Sequence, residues 1–394
     1  MGLTIGLLST SVSCTFNDPG TQPVNIQIQV TPPSVFTQET TYHDKNVTLS
    51  KNGKIVYQTL TNYNGIATFE GIIPDIYDVS TSTVISSEEY ERLTGEEVQN
   101  GKYVISGGEL GIILAQDGKH IISTTVSRKQ ELVISKIYYA GSKDNNNKNY
   151  LAGRYIEFFN NSDEAISIAG VYFGMLESEN TPAYMLGATP DYLYLKQIFR
   201  FPNTGKTTLE PGEAVIVVNS AIDHTLAAPR EADLSQADFE AKDDKNTNNP
   251  KVPAIELIYT AYATIPSINF SQGGPCSVVL FTTDEDPDSW EKVYKQGASK
   301  GTRYVKMPIK YVTDGVECLK FSSTGVDTGK KRLYDYIDGS YINIEAASGY
   351  NGQVVYRRLE DTGEEQTNHV LIDTNHSGND FGVSAVSYTH LRAH

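Results

Sequence analysis

Alternation of apolar and polar positions runs through most of this chain. Val24, Ile26, Ile28 and Val30 alternate with Asn25, Gln27, Gln29 and Thr31. A period of two places the four apolar residues on one face of a strand. Residues 47–49 and 55–57 flank Asn52-Gly53, a two-residue hairpin signal. Asn64-Gly65 turns the chain into a strand at 66–69, and 71–75 leads to another at 77–80. The acidic stretch 86–98 is read as a short helical turn. Strands around 112–114 and 120–125 flank Asp117-Gly118. The richest stretch is 132–174, with β-branched and aromatic runs at 132–138, 155–159 and 171–173. Asn160, Asn161, Ser162 and Asp163 supply turn chemistry between them. Ile166 and Ile168 alternate with Ser167, and Gly170 breaks that strand. Further strands are expected at 255–259, 277–282, 304–311 and 341–344. The pattern predicts an all-β chain.

Two stretches interrupt this meander. Residues 177–208 are aromatic, with Tyr184, Tyr192, Tyr194, Phe199 and Phe201. Residues 223–253 are polar, with Asp243, Asp244 and an Asn-rich run. Loops of such length usually carry function or are disordered. Tyr is enriched where interfaces need large rigid contact area. Tyr184, Tyr192 and Tyr194 are therefore the expected partner-binding residues, with 223–253 as a solvated rim.

At 394 residues the chain is long enough for two or three domains. Its formal charge of −16 favours solubility. It also argues against nucleic acid, whose phosphates need a cationic surface. No apolar run reaches the roughly 20 residues of a spanning helix. Three Cys exclude a disulfide scaffold. Cys276 and Cys318 could pair in an oxidising compartment or stand as separate buried thiols. Cys14 has a distinct context: a short apolar run with small residues precedes it, and a polar Pro-Gly tether follows. That arrangement resembles a bacterial lipoprotein signal, which implies lipid attachment at Cys14. Residues 1–14 would be signal and lipidation site, and 15–23 a tether. Residues 385–394 do not match the rest and resemble translated adapter sequence.

Thr61, Gly65, Phe69, Ile73, Pro74, Tyr77 and Val79 match in order the signature of the carboxypeptidase regulatory-like or transthyretin-like sandwich. Asp75 replaces that family's usual Gly. The resemblance implies a non-catalytic β-sandwich over 24–128. Tyr155, Ile156, Glu157, Phe158, Asn160, Ser162 and Gly170 resemble the opening of the lamin-tail immunoglobulin-like domain. Leu209-Glu210-Pro211-Gly212-Glu213 resembles that family's hairpin. It implies a second, enlarged sandwich over 129–384, joined to the first through few contacts. Ala221–His224, the 233–240 run and the 372–381 segment are similar to gut-bacterial lipoproteins of unknown function that combine these two modules.

Motifs for chemistry are scarce. Gly205-Lys206-Thr207 ends like a P-loop, but Arg200 stands where its first Gly is required. Asp373, Asn375, Ser377 and Gly378 match the first half of a calcium loop, but Ser384 occupies the place of its bidentate Glu. Asp284, Asp286 and Asp288 lack the required Gly. No cofactor is implied, and metal binding is left open. The resulting reading is a non-catalytic cell-envelope lipoprotein, surface-exposed on the outer membrane and anchored by lipid. It would act as a binding or accessory module, with a nutrient-uptake receptor as the expected neighbour. The alternatives are a glycan-binding surface lipoprotein that stacks sugars on those Tyr, and, behind both, a hydrolase.

Overall fold

The structure is a computed structural model that describes residues 22–38, 42–51, 54–98, 101–177, 191–242, 248–295, 297–360 and 370–384. Cys14, Tyr184 and the 385–394 tail lie outside the described residues.

The chain is all-β. The first unit holds β1 (Val24–Thr31), β2 (Asn46–Lys51), β3 (Lys54–Leu60), β4 (Ile66–Ile72), β5 (Asp75–Ser86), β6 (Lys102–Leu114) and β7 (Gly118–Arg128). A short helix, α1 (Ser87–Thr94), follows β5 and is capped by Ser86 and Gly95. The strand order is β3-β2-β5-β6-β7-β1-β4. Pairing is antiparallel except between β1 and β7. β7 changes partner along its length. Residues 118–123 pair with β1 and residues 124–128 with β6. An isolated Thr61–Ala67 bridge brings the two ends of the order together. The sheet thus folds over on itself around Ile26, Ile28, Val47, Leu49, Phe69, Val79 and Leu114. Asn62 fixes the return into β4, its Oδ1 accepting from the Asn64 and Ile66 amides at 2.9 and 3.1 Å. Gly65 has φ +71°, where a side chain would be strained.

The second unit contains β8 (Leu132–Tyr138), β9 (Ser142–Lys143), β10 (Asn149–Tyr150), β11 (Tyr155–Asn160), β12 (Ile166–Ser167), β13 (Tyr172–Leu176) and β14 (Tyr192–Arg200). There follow β15 (Thr208–Leu209), β16 (Ala214–Val218), β17 (Phe239–Glu240), β18 (Glu256–Thr260), β19 (Val278–Phe281) and β20 (Lys292–Tyr294). The last are β21 (Arg303–Pro308), β22 (Val312–Val316), β23 (Val354–Arg357), a turn of helix α2 (Ser377–Asp380), and β24 (Phe381–Ser384). One sheet has the order β17-β16-β11-β8-β23-β24. The facing sheet has β20-β21-β14-β13-β19-β22, with β18 also on β14. Ile134, Phe158, Val215 and Val217 of the first sheet meet Phe173, Phe199, Val278 and Leu280 of the second. Rings of Phe158 and Phe173 stand 5.0 Å apart in this core. The far face of the second sheet is also covered: Leu193, Leu195, Val279, Phe281 and Met307 pack with Leu333 and Ile337.

This double covering corrects the reading of an insertion for 191–208, residues 178–190 lying outside the described residues. That stretch contains β14, a central strand buried on both faces, so it shows no in-and-out alternation, and even Lys196 and Gln197 are buried. The described residues of 223–253 are not a solvated rim either, while Asp243 and Asp244 lie outside the described residues. Ala232, Leu234, Phe239 and Val252 enter the main core, and β17 pairs parallel to β16. Residues 341–344 are buried but form only an isolated bridge, from Ile342 to Cys318.

Three polar contacts, buried or part-buried, cross between the two units. Tyr341 donates to Asp78 at 3.3 Å, Asn379 to Ser80 at 3.2 Å and Asn375 to Ser127 at 2.7 Å. Burial, the largest influence, raises the Asp78 carboxyl above its ordinary range, against the Gly111 amide and Tyr341 hydroxyl.

Candidate functional site

β14 opens with the tyrosines singled out in the sequence. Alternation sends Leu193 and Leu195 to the outer layer, and Tyr192 and Tyr194 to the other side. Tyr194 is only 6 % exposed and packs against Tyr304 and Val293. That burial removes it from the expected partner surface. Tyr192 stays partly exposed, with the Lys306 ammonium 4.4 Å above its ring. Lys306 is itself bonded to Glu291 at 3.0 Å, which raises its pKa.

Other partly exposed rings, Trp290, Tyr311 and Tyr334, pack against the outer layer that holds Leu193 and Leu195. Trp290 and Tyr311 stack at 5.7 Å, and Glu285 accepts from the Trp290 Nε1–H at 2.6 Å and from the Tyr311 hydroxyl. Those two bonds lower the Glu285 pKa. Lys310 lies 4.7 Å over Tyr311 and within electrostatic reach of Tyr192. Tyr334 and Tyr336 stack at 5.6 Å, near Asp191, and Tyr336 is 41 % exposed. Burial pushes the Tyr334 phenol up to about 12. The rings are held by stacking and ion contacts, so they form a preorganised aromatic and cationic face.

A separate cleft of about 530 Å³ lies where the two units join. Lys102, Arg128 and Lys129 line one part, and Glu131, Asp163 and Glu164 another. Its frame is backbone: the Lys129 amide donates to Lys102 at 2.8 Å and the Asn161 amide to Glu131 at 2.6 Å. Among the described residues the cleft has no aromatic lining; they offer it charge of both signs.

The buried acids are used in fixing loops. Asp338 accepts from Glu317, Ser340 and Ser377 amides and from the Ser377 hydroxyl. Glu317 accepts from the Arg332 and Leu333 amides, both at 2.7 Å. Arg357 gathers Asp314, Asp373 and Asp380. The half calcium loop is thereby dismantled: Asp373 serves Arg357, Asn375 serves Ser127 and Ser377 serves Asp338. Asp288 pairs with Lys292 at 3.0 Å, and Asp286 caps a helical turn. Among the described residues no group of three metal-ligating side chains occurs. Cys276 and Cys318 are free buried thiols on paired backbone, the Cys276 amide donating to the Cys318 carbonyl at 3.0 Å. Sequence reasoning passed over Arg154, Lys196 and Glu231, which no periodic pattern marks and only the tertiary fold brings inside.

A family model described as a protein of unknown function, DUF4876, matches residues 210–387. A crystal structure of a DUF4876 family protein from Bacteroides thetaiotaomicron VPI-5482 is similar, with TM-score 0.59 and 24% identity. The alignment covers 91% of this chain and 95% of that one, and it shows the fold. No curated protein matches the chain. The DUF4876 match begins at Glu210, inside the second sandwich. It covers β16–β24, whose partners β8, β11, β13 and β14 precede it. The matched region is therefore part of a folding unit that starts near Leu132.

Proposed function

We propose that this protein is a non-catalytic binding module of the cell envelope, anchored by lipid at Cys14 and displayed on the outer membrane. The aromatic and cationic face around Tyr192 is its contact surface for an envelope protein, such as a nutrient-uptake receptor. The observation that carries this reading is the set of rings left partly exposed yet held rigid, since such rings lose little entropy when a partner covers them. Crosslinking in the producing cell should recover a discrete partner with the wild type. The Tyr192→Ala, Tyr336→Ala double variant should lose that partner at unchanged melting temperature. Equal recovery with both proteins would sink the reading.

The stacked Tyr334–Tyr336 pair favours one alternative, a glycan ligand seated on its outer ring. Glycan-array binding that survives removal of the protein partner, and is lost in Tyr336→Ala, would replace the first reading with this one. The anchor has its own test. Fatty-acid labelling of the full chain should disappear in Cys14→Ser, and persistence of the label would refute attachment there.

A further inference from the structure

Three arginines are buried among the described residues: Arg154, Arg332 and Arg357. Arg332 has Glu177 at 2.9 Å. Arg357 has three aspartates. Arg154 is 5 % exposed and makes no ion pair within 4.0 Å of a described carboxylate, Glu231 acting on it only at longer electrostatic range; its Nε and Nη2 are buried without a hydrogen-bond partner. Burial lowers its pKa, but a guanidinium keeps its proton in proteins. An unpaired buried cation is among the costliest groups a fold can hold.

The two unpartnered nitrogens are not an arbitrary pair. Nε–H and Nη2–H point in parallel from one edge of the guanidinium, the edge that matches the two oxygens of a carboxylate. Glu231 stands within electrostatic reach of both Arg154 and Tyr155. The Tyr155 hydroxyl, on the next residue, and Glu231 Oε2 are both buried without partners. The other Glu231 oxygen accepts from Tyr138 at 2.7 Å and Ser142 at 2.5 Å. Gly153 leaves room for this arrangement, because a Cβ there would stand 2.1 Å from Glu231 Oε2. Lys196 adds a second buried positive group within electrostatic reach of Arg154. Burial raises the Glu231 pKa, and Arg154 within electrostatic reach opposes that rise. Tyr350, partly exposed beneath the Lys143 ammonium and also in reach of Arg154, marks the side nearest solvent.

We propose that Arg154 anchors a binding site for a small organic carboxylate, whose two oxygens take the Nε–Nη2 edge while the Tyr155 hydroxyl donates alongside. The site is distinct from the aromatic face and does not depend on it. A singly charged planar anion fits better than phosphate, since Glu231 opposes a second negative charge.

The test is the melting temperature of the full chain in carboxylate-free buffer against added acetate, with chloride holding ionic strength constant. A ligand that binds the folded state raises the melting temperature with its concentration. The wild type should show a saturable rise with acetate. Arg154→Met should show none, and should melt no lower than the wild type without acetate, because the uncompensated charge is gone. Tyr155→Phe keeps the ring and tests the site should Arg154→Met not fold. It should weaken acetate binding about fivefold, the loss of one hydrogen bond. An absent acetate effect in the wild type, or an effect undiminished in both variants, overturns the proposal. Stabilisation by phosphate but not acetate overturns the carboxylate assignment.

Discussion

Replacing Arg357 with Met should be among the most damaging single changes in this protein. Its Nη2 donates to both oxygens of Asp314, at 3.1 and 3.0 Å. Nη1 reaches Asp373 at 2.9 Å, Asp380 at 3.5 Å and the Ile372 carbonyl at 3.1 Å. Nε donates to the Ile134 carbonyl at 3.0 Å. One side chain thus ties β8, β22 and the 372–380 segment together, with the Phe381 ring 4.7 Å from the guanidinium. Met keeps much of the volume but strands the acids. Breaking a buried ion pair costs about 3–5 kcal/mol, and three acids sharing one cation put this site toward the upper end. The acids already carry the strain of that imbalance: burial, against Arg357, lifts Asp314 to about 6 and Asp380 to about 7. Without Arg357 these values rise further. A carboxyl whose folded pKa exceeds its unfolded value adds stability below the unfolded pKa, and loses it as pH rises through the folded pKa. The variant should therefore regain ground on acidification from about pH 8 to about pH 5. Urea unfolding followed by circular dichroism at both pH values measures the gap. A cost under about 1 kcal/mol at the higher pH, or a gap that widens in acid, would refute a dry, shared ionic cluster.

Two further outcomes are expected. Burial depresses His376 to about 4 from its ordinary 6.5, so its contribution is present above pH 6.5 and is lost as pH falls through the folded value. Relative to His376→Gln, the wild type should lose about 3 kcal/mol between about pH 7 and pH 4; parallel pH profiles would mean that water reaches the imidazole. Tyr341→Phe removes the bond to Asp78 but leaves the carboxyl buried at the junction, which should cost about 1–3 kcal/mol in urea unfolding; no loss would mean that the two units are not coupled there.

The parts of the fold legible in sequence are those where one face of a strand meets solvent. Val24, Ile26, Ile28 and Val30 are all buried, while Asn25 and Gln27 are exposed. Ile112–Leu114 and 120–125 were visible, but β6 and β7 extend well beyond them. Gly107-Gly108 reads as a break in β6, yet both glycines sit in the ladder. A Cβ at Gly107 would stand 2.2 Å from the Ser123 carbonyl, and one at Gly108 2.4 Å from that of Val79. They mark close strand approach, not an end. β14 was hidden for the opposite reason: packing on both faces erases alternation. The ionic sites were not legible. Arg357 finds its acids 43, 16 and 23 residues away, and such pairings leave no local trace. At the candidate site, Tyr192 was legible as an aromatic at a strand start. The burial of Tyr194 depends on Tyr304, over a hundred positions along, and could not be read from spacing.

The placement of these polar groups bears on what the matched region can do alone. Arg357, its three aspartates, Asp338 and Glu317 all fall within residues 210–387. Each is satisfied by neighbours from that region or by the backbone of β8. They hold the loops that close the second sandwich, and their chemistry ends there. Arg154, Lys196 and Tyr192 precede the match, on β14 and at the start of β11. Glu231 lies inside it, and its described partners Tyr138 and Ser142 lie outside. Residues 210–387 in isolation would therefore keep the ion pairs of Arg357 but lose their β8 partner, the β11 and β8 neighbours of β16 and β23, and every cation of the carboxylate site. The stabilising chemistry is concentrated within the matched region, whereas both surfaces proposed for ligands straddle its boundary. Binding therefore has to be sought with the complete second sandwich, from β8 onward.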